Sequence, residues 1–138
     1  MNERILLGAA GLYGALAVAF GAYGAHGLER ALAGATDVAA RLEWWETAVL
    51  YHLAHAPALG LAAWLSARSP RAGAFAGGAF ALGVLLFAGT LYAMALGAPR
   101  WLGAVTPFGG LSLLAGWLGV LGAALVRSPR AAKDNGRR

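Results

Sequence analysis

The chain has 138 residues; 59% are large or small apolar types, a further 21 are Gly, and only 12% carry formal charge. An ordinary soluble domain carries roughly 25% charge, so too few charges remain here to solvate a globule, and a soluble enzyme is excluded. Cysteine is absent, which excludes disulfides, thiol nucleophiles and Cys-based metal sites, and the net charge is +5.

Charges divide the chain into four uncharged runs: Ile5–Leu28, Thr47–Ala67, Ala72–Pro99 and Trp101–Val126. About 20 apolar residues at ~1.5 Å each cross a bilayer core, so each run is long enough to span once. Backbone polar groups in lipid must pair within their own segment, which makes the spans helices. The predicted fold is all-α: an integral membrane four-helix bundle forming a single domain, with spans near 5–27, 47–67, 73–96 and 107–126. The first run is longer than a signal-peptide core, although Ala17-Val18-Ala19 resembles a cleavage site, and it is read as a retained helix.

In the first loop, Val38, Leu42 and Trp45 fall at helical spacing on one face, which predicts a short interfacial helix leading into span two. Pro57 lies inside span two, has no N–H, and should kink the helix by freeing the Leu53 carbonyl. Ser69-Pro70 marks a tight turn. Thr106-Pro107 predicts the start of span four, with Thr as cap and Pro at the first helical position, which leaves Gly97–Val105 as a loop. Residues 128–138 read as a basic, disordered tail.

Five of the eleven basic residues, Arg127, Arg130, Lys133, Arg137 and Arg138, lie in the last twelve positions. With Arg4, Arg68 and Arg71 they place both termini and the second loop in the cytoplasm of a bacterial inner membrane, against Arg30, Arg41 and Arg100 outside. A basic tail beside a span is a lipid anchor, and no aromatic-plus-basic strip points to nucleic acid. Trp44, Trp45 and Trp101 should form an outer aromatic belt, with Trp64 at the inner boundary. Small residues recur every four positions in Gly11-Ala15-Ala19, Ala17-Gly21-Ala25, Gly73-Gly77-Ala81 and Ala115-Gly119-Ala123. Such stripes allow close helix packing, within the bundle or between copies.

The polar residues near the membrane interior are few. His26 ends span one, Glu46 opens span two, and Tyr51, His52 and His55 follow. At about 100° per residue, Glu46 and His55 point to nearly opposite sides of one helix and cannot share an ion, so no metal site is predicted. His55 reads as a neutral, hydrogen-bonded core histidine. His26 and Glu46 share a depth near the outer interface and are expected to pair. No phosphate loop, nucleotide fingerprint, catalytic triad or carboxylate pair is present, so no cofactor is expected.

Four motifs in order resemble a known family. Phe20-Gly21-Ala22-Tyr23-Gly24-Ala25-His26-Gly27-Leu28 is similar to the first-span motif of the small membrane proteins called domain of unknown function 423, which include transmembrane protein 256. Trp45-Glu46-Thr47 followed by Tyr51-His52 and His55 resembles the second motif. Gly89-Thr90-Leu91-Tyr92 resembles the third, and Leu102 to Gly110 with Gly116-Trp117 resembles the last. Leu50 stands where members often carry Arg, and Pro57 where Leu is common. The resemblance implies a four-span inner-membrane protein with no settled activity, and it singles out His26, Glu46, Tyr51, His55, Tyr92, Thr106 and Pro107.

The sequence therefore favours a non-catalytic accessory, scaffold or lipid-binding subunit. Its partners are the bilayer and another membrane protein or a second copy of itself. A small oligomeric transporter or channel, proton-linked through intramembrane His, is the first alternative. A lipid-modifying enzyme using His26 and Glu46 is the second.

Overall fold

The computed structural model describes residues 2–125; the predicted tail and the last residue of the predicted fourth span, Val126, lie outside the described residues. Four long helices and no strands are found among those residues. Helix α1 runs Glu3–Ala31, α2 Val38–Arg68 and α3 Pro70–Ala95, and α4, Thr106–Leu125, follows a short 3₁₀ turn at Arg100–Ala104. All four extend to or beyond the length needed to cross a hydrocarbon core.

Local chemistry sets most of the boundaries. The Asn2 side chain accepts a hydrogen bond from the Ile5 N–H at 3.0 Å and caps α1. Ser69 is the only residue between α2 and α3, and Pro70, which has no N–H to lose, occupies the first turn of α3. Gly97, at φ +101, ends α3. Its N–H bonds the Met94 carbonyl at 3.0 Å and the Ala98 N–H bonds the Ala93 carbonyl at 2.9 Å, which is the Schellman arrangement. Helix α4 begins at Thr106, one residue before Pro107, and the stretch read as loop contains the 3₁₀ turn.

Helices α2 and α3 form the centre, with about half of their spanning residues buried. Helix α1 packs on α2 and α4 packs on α3. The largest fully buried side chains are Leu6, Leu28, Leu59 and Phe80. The outer surface is apolar, with Leu12, Val18, Leu50, Leu82, Leu85 and Leu118 all exposed. In water such a surface would aggregate; in lipid it is the solvated face.

Two expectations change. The interfacial helix is not a separate element: Val38, Leu42 and Trp45 are the opening turns of a continuous 31-residue α2. Trp45 does not belong to an aromatic belt, since it is 4% exposed and sits in the core, whereas Trp101 is 68% exposed. The small-residue stripes divide. Gly73 packs on the Ser66 backbone, Gly77 on Leu6 and Gly119 on the Phe75 ring, all within the chain, whereas Gly11, Ala15 and Ala19 face outward.

Helix α1 contains one irregularity. Gly24–Leu28 form a π turn, followed by a last α-helical turn at Glu29–Ala31. A Cβ at Gly24 would lie 2.7 Å from the Trp45 indole, so glycine is what lets that ring lie against the backbone. The indole N–H donates to the Phe20 carbonyl at 2.9 Å, one turn before the π segment. π turns collect at functional sites, and this one holds His26.

Candidate functional site

The polar side chains of the interior sort into separate groups. His55 lies on the buried face of α2 with both ring nitrogens bonded. Nδ1 is 2.7 Å from the Tyr51 carbonyl, and Nε2 is 3.2 Å from the Trp117 indole nitrogen on α4. Indole only donates, and a carbonyl only accepts. Both bonds are met by the tautomer with its proton on Nδ1, and His55 then has no spare donor or acceptor for a relay. The Tyr51 ring stacks parallel to His55, at 6.0 Å between centroids, and lies 4.3 Å from Phe87. Pro57 is inside α2, yet His55 bonds the Tyr51 carbonyl and not the Leu53 carbonyl that Pro57 frees.

Thr106 does not cap α4 through its side chain. Its hydroxyl meets the Thr90 hydroxyl at 2.8 Å, and Thr90 reaches the Leu86 carbonyl at 2.6 Å. Two residues from separate sequence motifs therefore form one latch between α3 and α4. Ser112 on α4 donates to the Ala79 carbonyl at 2.8 Å, and Tyr13 on α1 donates to the Ala81 carbonyl at 3.1 Å. Each bond ties one spanning helix to another.

The third group lines a cleft between α1 and α3, floored by α2. Its volume is about 220 Å³. Tyr13 and Phe20 come from α1, His52 from α2, and Val84, Ala88 and Tyr92 from α3. Leu16 and Leu85, both exposed, sit at its edge and open it toward lipid. The Tyr92 hydroxyl is 3.4 Å from His52 Nδ1, a long bond. His52 is 5% exposed, and its Nε2 is enclosed with no hydrogen-bond partner. Buried polar atoms are nearly always paired, so an orphan nitrogen at membrane depth is the strongest single anomaly of the interior.

His26 and Glu46 do not meet. Both are exposed, and no hydrogen bond or ion pair joins them to each other or to any other described residue. The π turn and the indole between the helices set the spacing there. Glu46 instead borders a shallow hollow of about 190 Å³ with Gly24, Ala25 and Trp45.

The candidates singled out from sequence thus do not form one site. His55 meets both Tyr51 and Trp117, Tyr92 lies with His52, Thr106 with Thr90, and His26 and Glu46 stand apart. Among the described residues no three His, Asp or Glu side chains gather closely enough to hold a metal.

The charged cluster at the long-loop end was not singled out from sequence. Asp37 precedes α2 but does not cap it. One carboxylate oxygen accepts from Arg41 at 2.7 Å and the other from Arg100 at 2.7 Å. Arg41 also reaches the Ala95 carbonyl at the end of α3, at 3.4 Å, while the Arg100 guanidinium lies 5.7 Å from the Trp44 ring. The Arg41 pairing, four residues on, was readable from spacing; the Arg100 partner, 63 residues away, was not.

The hydrogen bond from Arg100, then that from Arg41, holds the Asp37 carboxyl below its ordinary value of 3.8. A carboxyl depressed on folding contributes stability that is complete above its unfolded value and is lost as pH falls through the folded one. Thermal unfolding in detergent should therefore show no Asp37 contribution to pH dependence between pH 8 and pH 5. A decline should set in below about pH 3.8. Asp37→Asn should be less stable than wild type at neutral pH and should lack that part of the acid decline; identical curves would refute the clasp.

Comparison with known proteins fits this architecture. Residues 20–110 match the family described as Protein of unknown function (DUF423). The chain is similar to the UPF0382 membrane protein SH2409 of Staphylococcus haemolyticus, 41% identical over 86% of this chain and 91% of that one. It is 37% identical to the UPF0382 membrane protein YwdK of Bacillus subtilis, over 91% and 98% of the two chains. It is 38% identical to the UPF0382 inner membrane protein YgdD of Escherichia coli K12, over 85% and 86%. No solved structure matches.

Proposed function

The chain belongs to the DUF423 family, is a multi-pass protein of the bacterial inner membrane, and from that premise we propose that it serves as a small non-catalytic accessory or scaffold subunit. The observation that carries the reading is where the interior hydrogen bonds go. His55, Thr90, Thr106, Ser112 and Tyr13 each take part in a hydrogen bond that joins one spanning helix to another. Small residues and interhelical hydrogen bonds are what hold helices together in lipid. A proton path needs groups with donors or acceptors to spare, arranged in succession. His55 has both nitrogens committed.

The test is flux. Reconstituted in sealed vesicles, the protein should pass protons, sodium and potassium no faster than protein-free vesicles. Flux that His55→Leu abolishes would overturn the accessory reading in favour of a small transporter.

The same reading places both termini in the cytoplasm, because Arg4, Arg68 and Arg71 lie at the end opposite Arg30, Arg41 and Arg100. The chain has no native cysteine, so single cysteines report topology without interference. Ala35→Cys in the first loop should react with an impermeant thiol reagent added to intact cells, and Ser69→Cys should react only after lysis. The reverse pattern would invert the assignment.

A further inference from the structure

We propose that the cleft between α1 and α3 binds a neutral, membrane-dissolved ring that carries a carbonyl oxygen and an apolar tail, the chemistry of an isoprenoid quinone, with the carbonyl accepting a hydrogen bond from His52 Nε2. Three observations converge on that occupant.

The first is the orphan nitrogen. The Tyr92 phenol is itself buried, and its one hydrogen-bond partner among the described residues is His52 Nδ1. A phenol proton directed at Nδ1 makes that nitrogen the acceptor, so the ring proton sits on Nε2. Nε2 is then an unmet donor beneath the surface of a cleft that His52 lines, and a ligand acceptor meets it when a neighbouring wall side chain turns aside.

The second is the lining. No Lys, Arg, Asp or Glu borders the cleft, and a charged group at this depth would be costly, so the ligand is neutral. His52 lies six residues into the span from Glu46, about 9 Å along the helix. The walls carry the rings of Tyr13, Phe20, His52 and Tyr92 among aliphatic residues, with the Tyr13 ring 5.5 Å from His52 edge-to-face and the Phe20 ring 4.8 Å from Tyr92. Such walls suit a flat ring.

The third is size and access. An apolar cavity of about 150 Å³ holds a benzene ring, so 220 Å³ takes one substituted ring and little more. A full ligand pocket runs to about 300–1,000 Å³. The tail must therefore stay outside, and the edge at Leu16 and Leu85 leaves it in lipid.

The experiment uses the full chain in lipid nanodiscs, titrated with decyl-1,4-benzoquinone and, in parallel, with decylbenzene, which has a flat six-membered ring and the same tail without oxygen. Wild type should bind the quinone saturably, one per chain, and the hydrocarbon roughly tenfold more weakly or not at all, the loss of about one hydrogen bond. His52→Phe keeps a ring in place and removes the orphan nitrogen, so it should bind the quinone roughly tenfold more weakly. Gly89→Leu fills the cleft, where a Cβ at Gly89 has its nearest neighbour, Leu85, at 4.0 Å; it should fold normally and bind neither probe saturably. If His52→Phe fails to fold, Gly89→Leu and the hydrocarbon comparison decide alone. Equal binding of both probes by every form would mean simple partition into lipid and would overturn the site, as would no saturable binding by wild type. The accessory role is read by flux and co-purification and this site by ligand binding, so either can fail without the other.

Discussion

Gly109→Val is expected to unfold the α3–α4 half of the protein, at a cost at or above the upper end of the ~1–3 kcal/mol typical of overpacking. Gly109 is buried, and a Cβ there would lie 2.8 Å from the Phe87 Cα and closer still to its backbone nitrogen. The obstacle is main chain, which cannot rotate out of the way as a side chain can. The two helices would have to separate, and the Thr90–Thr106 latch one turn away would break with them. Gly110→Ala is the matched control. Its nearest neighbours are atoms of the Phe87 ring at 3.7 Å, an ordinary contact, and Ala is favoured over Gly in a helix by about 1 kcal/mol. Thermal unfolding in detergent should show a large loss for Gly109→Val and none for Gly110→Ala. Equal behaviour of the two would mean that α3 and α4 do not meet at this glycine.

Trp45→Ala should cost about 3–5 kcal/mol, the range for deleting a large buried aromatic. The ring packs against Phe20, Tyr23 and Tyr92, with centroids 5.8, 5.4 and 4.6 Å away. It is also the contact that ties α2 to the π turn of α1, through its bond to the Phe20 carbonyl. Trp45→Phe keeps most of the apolar volume and loses that bond. Interhelical hydrogen bonds in a membrane average roughly 0.6 kcal/mol, so the Phe variant should lie much nearer wild type than the Ala variant. Trp101→Ala, at an exposed position, should be close to neutral. A Trp45→Ala loss no greater than that of Trp101→Ala would return Trp45 to the lipid-facing belt.

The four helices were legible because uncharged length is a sufficient signal in a membrane protein: the backbone has no other way to satisfy its polar groups there. The starts at Asn2 and Pro70 and the end at Gly97 follow from capping chemistry carried by those residues. What charge counting could not show was that α2 continues through the acidic, basic and aromatic residues before Thr47. Arg41 and Glu43 belong to the helix, but they lie at the end where charges are solvated, so they do not interrupt it.

Face assignment was partly legible. Trp45, Ala48, His52, His55, Leu59 and Ala62 recur at helical spacing and are all buried. That periodicity places Trp45 on the inner face, against the compositional expectation that a tryptophan near a charge lies in the interface. The distinction between the two histidines of that face was not legible. Sequence put His55 forward, but Trp117, 62 residues away, completes its hydrogen bonds. His52 drew less attention and is the one left with an unmet nitrogen, because its neighbours from α1 and α3 are aromatic walls. Partner choice across helices depends on rotation and depth, which a single sequence does not encode locally. For the same reason His26 and Glu46, matched in depth and opposite in possible charge, do not meet.

The accessory role is tested most directly by native mass spectrometry of the chain extracted from its own membrane under mild conditions. The protein should leave the membrane with a second membrane protein at fixed stoichiometry, or as a defined oligomer. A bare monomer across a series of mild detergents would contradict it.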